Sequence, residues 1–228
     1  MLYIIQNDPE VPPGSITDGL HIPYRVHHPY RDCLFPELKD ISALIVLGGA
    51  MGANDERKHP FLADLKQLIQ LVVAEGIPYL GVCLGGQLLA AALGAQVVSN
   101  RWEEIGSFSA TLTEEGKSDP LFIGMAPDFL TFQWHHDSFD IPAGGVLLAS
   151  SAVCRHQAFR IGASAWGLQF HPEVTEDIIR CWAAWDKSTS ASTEEFVAGF
   201  KAGAASYGAT VSQLMRNFRS TVKLQPIL

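Results

Sequence analysis

Three residues of the chain have the types and the spacing that nucleophilic chemistry requires. Cys83 lies in the stretch GVCLGGQ, and His171 and Glu173 lie further along the chain in GLQFHPE. A thiol attacks a carbonyl carbon well only as a thiolate, so it needs a neighbouring base, and the base needs a group that orients it. The three side chains therefore predict a nucleophilic site in which Cys83 attacks, His171 moves the proton and Glu173 holds His171.

The glycines on either side of Cys83 predict a sharp turn. In GVCLG, Gly81 and Gly85 stand two residues before and after the cysteine, which is the spacing of a nucleophile elbow. An apolar run precedes the cysteine and an alanine- and leucine-rich segment follows it, so the thiol would sit where a buried strand meets a helix. The helix N-terminus would favour a thiolate, and the amide of Leu84 would face a developing oxyanion. The alternative is that Cys83 is an inert core residue and that the glycines serve only the turn.

The segment HPE predicts how the base is oriented. Pro172 favours extended backbone, and residues i and i+2 of an extended chain point to the same side. The carboxylate of Glu173 can therefore lie beside the imidazole of His171, where it would fix the tautomer and stabilise the cation. A lone histidine at a strand end is more often structural, but its pairing with a cysteine at an elbow favours the catalytic interpretation.

The elements around these motifs predict an α/β fold. Strand-like runs (LYIIQ, ALIVLGG and IPYLGVC) alternate with helical periodicity at 61–73 and in GGQLLAAAL, and HIPYRVHH is typical of an edge strand. That order indicates a parallel sheet with right-handed crossovers. Short strand-like pieces from about 96 to 170 indicate an antiparallel portion, and the tail from about 175 is helical in pattern. We therefore predict a three-layer, open, mostly parallel sheet with helices on both faces and an added antiparallel portion, formed by residues 1–228 as a single domain.

Composition narrows the possible partners and compartments. The 228 residues carry a net charge of −8 without a run of Lys or Arg, so neither nucleic acid nor a membrane is expected as a partner. The four cysteines form no C-x-x-C pair, and the adjacent histidines of HHD would face opposite sides of a strand, so we expect no metal. The N-terminus lacks the basic start of a signal peptide, and no run is long enough to cross a bilayer. We therefore expect a cytoplasmic protein without a cofactor.

The two motifs together resemble those of a known family, the class I (triad-type) glutamine amidotransferases. GVCLGGQ is similar to that family's G-x-C-x-G-x-Q elbow, and GLQFHPE to its Q-x-H-P-E segment. LGGAMGANDE sits where the family has its Gly-rich oxyanion loop, and QWHHDSF where the glutamine domain of GMP synthetases has a Ser-His-Gly-Asp stretch. The resemblance spans roughly residues 1–180, is closest to stand-alone GMP synthetase glutamine-amidotransferase-like proteins, and implies a flavodoxin-like form of the predicted fold.

The resemblance also implies a reaction. Cys83 would attack the side-chain carboxamide of glutamine and form a γ-glutamyl thioester, and ammonia would leave. His171 would carry the proton from the thiol to the leaving amine, with Glu173 as its partner. The backbone amides of Gly49 and Leu84 would form the oxyanion hole, and water would then release glutamate.

Three further residues are implied as substrate-binding. Gln87 and the backbone around Trp134 and His135 would hold the α-amino and α-carboxylate groups of glutamine. The chain departs from the family at two positions, because Ala50 stands where many members have Pro and Trp134 replaces the usual Ser. The second change opens the possibility that the pocket for the α-substituents accepts a compound other than free glutamine.

Three interpretations of the function stay open at this point. In the first, the chain is a glutaminase subunit that delivers ammonia to a separate synthetase. In the second, it acts alone as a γ-glutamyl peptidase, hydrolase or transferase, since the same acyl-enzyme serves and only the leaving amine differs. In the third, the fold is a non-catalytic regulatory module, which the three intact catalytic residues disfavour. The chain contains no phosphate-binding P-loop motif, so no ATP-dependent step is expected within it.

Overall fold

The computed structural model of the chain describes residues 1–185 and 188–223. Within these residues a sheet of nine strands forms the centre, and two further short strands pair with each other beside it. In chain order the strands are β1 (Leu2–Ile5), β2 (Tyr24–His27), β3 (Ala43–Val46), β4 (Tyr79–Val82), β5 (Val97–Val98), β6 (Glu104–Leu112), β7 (Asp128–His135), β8 (Ser138–Phe139), β9 (Val146–Ser150), β10 (Ala158–Ile161) and β11 (Ala165–Leu168).

The helices flank the sheet, and two of them follow its last strand in the chain. They are α1 (Ser15–Leu20), α2 (Pro29–Asp32), α3 (Phe61–Ala74), α4 (Leu84–Ala92), α5 (Glu114–Ser118), α6 (Glu176–Trp185) and α7 (Thr193–Thr221). Short 3-10 turns occupy Leu38–Asp40 and Ser190–Ser192. Both α6 and α7 fall in the tail that the sequence predicted as helical. In the part of the chain that the structure describes, no helix combines the length and the apolar character needed to cross a membrane.

The strand order divides the sheet into a parallel and an antiparallel half. It runs β2-β1-β3-β4-β11-β10-β9-β6-β7. Every pair from β2 to β11 is parallel, and every pair from β11 to β7 is antiparallel. This arrangement confirms the predicted fold, a parallel sheet that an antiparallel portion extends, with HIPYRVHH supplying the edge strand.

Helices cover both faces of the parallel half, and its inner strands β1, β3, β4 and β11 carry no polar side chain apart from the Tyr hydroxyls and the Trp N–H. In β1, Tyr3 and Ile5 belong to the core on the side of α3 and α4. Leu2 and Ile4 point to the opposite side and pack in the core that contains residues of α1, α6 and α7. Burial of alternate residues on two faces explains why the strands lack the polar alternation of a half-exposed sheet. The predicted three layers are therefore present.

Candidate active site

Cys83 alone makes the turn between β4 and α4, as the elbow motif predicts. Its φ of 49° and ψ of −107° lie in a region that residues with side chains seldom adopt. Backbone of this kind costs on the order of 1–3 kcal/mol, and it persists where the surrounding structure holds it, most often at functional sites. The turn places Cys83 on the wall of a cavity of about 420 Å³.

Glycines permit this turn because their neighbours leave no room for a side chain. A Cβ on Gly81 would lie 2.4 Å from the backbone of Gly85, and a Cβ on Gly85 would lie 2.0 Å from the carbonyl oxygen of Val46. A Cβ on Gly86 would lie 2.6 Å from the carbonyl oxygen of Leu168. The first turn of α4 therefore packs directly against the backbones of β3, β4 and β11, which fixes the sulfur at the sheet edge.

We expect Gly85→Ala to lower the free energy of unfolding by about 3 kcal/mol, because the new methyl group would overlap a strand carbonyl that cannot retreat. Urea denaturation of the variant and the parent measures the change. Gly199→Ala in α7 is the matched control, since nothing lies within 4 Å of its Cβ position, and helix propensity should make it up to about 1 kcal/mol more stable. Equal stability of Gly85→Ala and the parent would contradict the close packing described above.

His171 reaches Cys83 because their strands are neighbours. β11 and β4 are parallel and adjacent, and the amide of Cys83 donates to the carbonyl of Leu168 at 2.8 Å. His171 follows just beyond β11, where its amide donates to the carbonyl of Phe132 at 2.9 Å. A Cβ placed on Gly48 would lie 3.3 Å from Cε1 of His171 and 3.7 Å from Cβ of Cys83. The fold thus brings together the two motifs that the sequence holds far apart.

Glu173 lies beside the histidine ring as the HPE segment predicts, although Pro172 and Glu173 form a turn and not the extended backbone that was expected. Nδ1 of His171 and Oε1 of Glu173 are 2.7 Å apart, and both side chains are buried. Nε2 of His171 is buried and has no hydrogen-bond partner among the described residues, so it is the ring nitrogen left for Cys83. Burial alone would lower the pKa of His171, but the charges of Glu173 and Cys83 outweigh it and raise that pKa to about 10.

The two residues predicted for the oxyanion hole lie next to each other beside Cys83. Leu84 is the first residue of α4, a position whose N–H has no acceptor within the helix. Gly49 lies on the cavity wall after β3, and a Cβ on it would be 3.1 Å from Cδ2 of Leu84. Their placement fits two amides that converge on one oxygen, and their role as donors stays a prediction.

The three residues predicted to bind substrate all line the cavity, but their side chains differ in how they are used. Nε2 of Gln87 donates to the carbonyl of Asp137 at 3.1 Å, so this amide holds the segment after β7. The side chain of His135 is buried, and its Nε2 lies 3.2 Å from Oε2 of Glu104. Trp134 keeps its ring half-buried at the wall, and substrate binding by the backbone around Trp134 and His135 stays a prediction.

Buried polar residues surround His135. Glu104, His135 and Cys154 each place one atom of a kind that can bind a metal within 4.8 Å of the other two. The Glu104 carboxylate already accepts hydrogen bonds from Ser151 at 2.7 Å and from Gln157 at 2.5 Å, besides its contact with His135. The cluster therefore forms a hydrogen-bonded network that links β6 and β7 to the segment between β9 and β10.

The sequence did not single out two residues that contact the candidate site, one beside Cys83 and one beside His171. Gln169 belongs to the GLQFHPE motif, and its Nε2 lies 3.8 Å from Sγ of Cys83. The hydroxyl of Tyr207, on α7, donates to the carbonyl of His171 at 2.9 Å and accepts from the amide of Val174 at 2.9 Å. The motif could have pointed to Gln169, but no local pattern marks Tyr207, whose contact depends on how α7 packs.

Tryptophans form one side of the cavity, which we call the aromatic wall (Trp134, Trp182 and Trp185). The ring of Trp182 meets the ring of His171 edge-on with centroids 4.8 Å apart, and it meets the ring of Trp134 at 5.8 Å. Trp185 lies one helical turn further along α6 and is 50% exposed. The sequence predicted a role for Trp134 but none for the two tryptophans of α6.

Comparison with known proteins agrees with the fold and the motifs. The family model described as glutamine amidotransferase class-I matches residues 21–178. A glutamine amidotransferase-like protein of Salmonella typhimurium, YfeJ, is 30% identical over 65% of this chain and 63% of its own length. A subunit of the glutamine-hydrolyzing GMP synthase from Sulfolobus acidocaldarius is 33% identical over 60% of this chain and 70% of its own length. The chain thus spans a little under two thirds of the Salmonella relative.

Solved structures extend the similarity to almost the whole chain. A glutamine amidotransferase from Methylobacillus flagellatus superposes with a TM-score of 0.87 at 28% identity, covering 99% of this chain and 96% of that one. A glutamine amidotransferase from Thermotoga maritima gives 0.86 at 27% identity, covering 96% and 97%. Both overlaps include the C-terminal helices, which lie outside the family-model match. The chain belongs to the class I glutamine amidotransferase family.

Proposed function

We propose that the chain hydrolyses the γ-amide of glutamine through a thioester on Cys83. The observation that carries the proposal is the meeting of a strained elbow cysteine with a histidine whose Nδ1 is 2.7 Å from a buried carboxylate. A thiol, a base and an orienting acid in that order are the parts that acyl transfer needs. The cavity beside them is within the size range of small-molecule sites.

In the proposed reaction, the thiolate of Cys83 attacks the γ-carbonyl carbon while His171 is protonated. The amides of Gly49 and Leu84 would donate to the oxyanion, as helix-terminal and loop amides do in other acyl transfers. The C–N bond then breaks, His171 gives its proton to the leaving nitrogen, and ammonia departs. Water next attacks the thioester, His171 takes a proton from that water, and glutamate leaves with Cys83 restored. We propose that no metal or cofactor takes part.

The ammonia would pass to a separate synthetase in this proposal. The support comes from relatives whose names describe them as single subunits of GMP synthases that hydrolyse glutamine. The acceptor molecule and the synthetase stay unnamed, because those relatives resemble the chain over only about 60% of its length. A cytoplasmic, single-domain protein is the form in which we propose that the chain works.

A second candidate, a γ-glutamyl hydrolase that acts without a partner, is favoured by one observation. Trp134 stands where the resemblance implies Ser, and it joins two more tryptophans at the wall of the cavity. Such an apolar surface offers glutamine few favourable contacts, because its carboxamide, ammonium and carboxylate groups are all polar.

Selective labelling of the cysteines tests the proposed nucleophile. We expect a diazoketone analogue of glutamine to modify Cys83 well before Cys33, although Cys33 is exposed and Cys83 is buried. Burial raises the pKa of Cys154 to about 11, and a hydrogen bond to Glu10 together with burial raises that of Cys181 to about 11, so neither should compete. Peptide mass spectrometry after partial labelling gives the order. Labelling that follows exposure, with Cys33 first, would contradict the proposal.

A further inference from the structure

The aromatic wall (Trp134, Trp182 and Trp185) lies on a definite side of the reacting bond. In the proposed reaction His171 gives its proton to the leaving nitrogen, so the leaving group must depart on the side of His171. Trp182 is the ring that packs against His171, with centroids 4.8 Å apart and an interplanar angle of 66°. The aromatic wall therefore borders the space of the leaving amine.

Another part of the cavity lining is polar. Gln87, His135 and Asp137 lie there, on α4 and on the segment that ends β7. Nε2 of Gln87 donates to the carbonyl of Asp137, which ties the two elements together. This side suits the ammonium and carboxylate of a γ-glutamyl group, whereas the aromatic wall offers those charges no partner.

The cavity holds more than glutamine. Its volume is about 420 Å³, which corresponds to roughly fourteen waters at about 30 Å³ each. Glutamine has ten non-hydrogen atoms, and covalent bonds pack them closer together than separate waters. When the leaving group is ammonia, the space beside the aromatic wall would stay filled with water that the tryptophans cannot hydrogen-bond well.

The exposure of Trp185 fits a surface that a ligand completes. Trp182 is 3% exposed and already packed, but Trp185, one turn along the same helix and lining the same cavity, is 50% exposed. A large apolar ring left half in water at the mouth of a polar site gains by covering a second apolar group.

From these features we infer that the substrates include secondary γ-glutamyl amides whose leaving amine carries an aromatic or bulky apolar substituent. The inference rests on the proposed function, since it uses the same thioester. Cys83 bonds to the γ-carbonyl carbon, the C–N bond breaks, and His171 gives its proton to the nitrogen, so the free amine R-NH₂ leaves along the aromatic wall. Water then hydrolyses the thioester, and the sum is γ-glutamyl-NHR plus water giving glutamate plus R-NH₂.

A matched pair of substrates tests the inference. γ-Glutamyl-phenethylamide and γ-glutamyl-ethylamide share the acyl group and release primary alkyl amines of similar basicity, so their rates differ through contact with the ring. We expect kcat/KM of the purified full chain to be about 10-fold higher for the phenethylamide, the lower end of the effect of an apolar pocket contact. Release of the free amine is measured alongside release of ammonia from glutamine.

Two variants locate the effect. Trp185→Ala should reduce kcat/KM for the phenethylamide more than for the ethylamide, so that the ratio falls towards one. Leu71→Ala removes an exposed apolar side chain of matched exposure, 52%, on α3 and away from the cavity, and should keep the ratio of the parent. A ratio that Trp185→Ala and Leu71→Ala leave equally unchanged would overturn the assignment of the aromatic wall.

The outcomes separate this inference from the proposed function. Equal rates on both amides, with glutamine hydrolysed, would overturn the inference and leave the glutaminase proposal standing. No hydrolysis of any γ-glutamyl compound by the chain alone, with Cys83 still labelled first, would also overturn the inference and favour a glutaminase that needs its synthetase. No hydrolysis together with labelling in the order of exposure would overturn both.

Discussion

Replacing Cys83 with alanine is expected to lower kcat for γ-glutamyl hydrolysis by about 10⁴-fold or more, because no other group can form the acyl-enzyme. The fold should survive, since alanine is smaller than cysteine and the turn keeps its flanking glycines. Glutamate release from glutamine, followed at saturating substrate, measures the effect. Circular dichroism of the variant checks that the loss of activity is not a loss of structure.

The matched control for Cys83→Ala is Cys33→Ala. Cys33 has an αL backbone of its own, with φ at 55°, but it is exposed and far from the cavity lining. We expect the control to keep full activity and to be labelled at Cys83 by the diazoketone analogue as the parent is. A Cys83→Ala protein that still turned over γ-glutamyl compounds at the parent's rate would show that the nucleophile is another residue.

Glu173→Gln is expected to give the second large loss, lowering kcat by about 10²–10⁴-fold. The glutamine side chain can still bond to Nδ1 of His171, but it carries no charge to stabilise the imidazolium. It can also present its NH₂ group to the ring and so select the wrong tautomer. Pre-steady-state release of the amine isolates the acylation step, where His171 must be protonated as the leaving nitrogen departs.

The pH dependence of acylation reports the same interaction, and its sign follows from the raised pKa of His171. Below that pKa, about 10, the imidazolium can donate to the leaving amine, so the parent should lose activity only as the pH rises through about 10. Glu173→Gln removes the charge that contributes most to raising the pKa, so the alkaline limb of kcat should move to lower pH. The raised pKa of His171 also stabilises the folded state. This contribution to the free energy of unfolding is complete below pH 6.5, the ordinary histidine pKa, and is lost as the pH rises through the pKa of about 10 in the folded protein.

Glu176→Gln provides the control for this second variant. Glu176 stands near Glu173 in the chain, but its carboxylate lies at the surface, where it pairs with Arg180 at 3.0 Å and with Lys201 at 2.9 Å. Exposed pairs of this kind contribute little, so activity and its alkaline limb should stay as in the parent. An alkaline limb that stays in place in Glu173→Gln would mean that Glu173 does not set the pKa of His171.

The residues of the candidate active site could be predicted because their signals are local. The glycines around Cys83 leave room for backbone that packs against the turn, and Glu173 follows His171 by two residues, so their contact needs no distant element. Each signal therefore sits inside one short motif. The parallel sheet was predictable for a similar reason, since strands such as β3 and β4 are apolar throughout and alternate with a clear helical period at 61–73.

The parts of the site that depend on packing between distant elements could not be predicted. Trp182 reaches His171 because α6 packs beside His171. Trp185 lines the cavity because it is one helical turn further along α6. In the sequence these tryptophans look like ordinary apolar positions of a helix. Gln87 gives a different lesson, since the motif indicated its importance, but the side chain's amide nitrogen is engaged by the carbonyl of Asp137.

The hydroxyl of Tyr207 joins α7 to the segment from His171 to Val174, and this has a consequence for where the functional unit ends. Similarity to the family model stops at residue 178, beyond Cys83, His171 and Glu173 but before Tyr207. A fragment cut at that border would keep Cys83, His171 and Glu173, and would lose the phenol that bridges the carbonyl of His171 and the amide of Val174. The stretch that the family model matches is therefore shorter than the stretch that holds the segment from His171 to Val174 in shape.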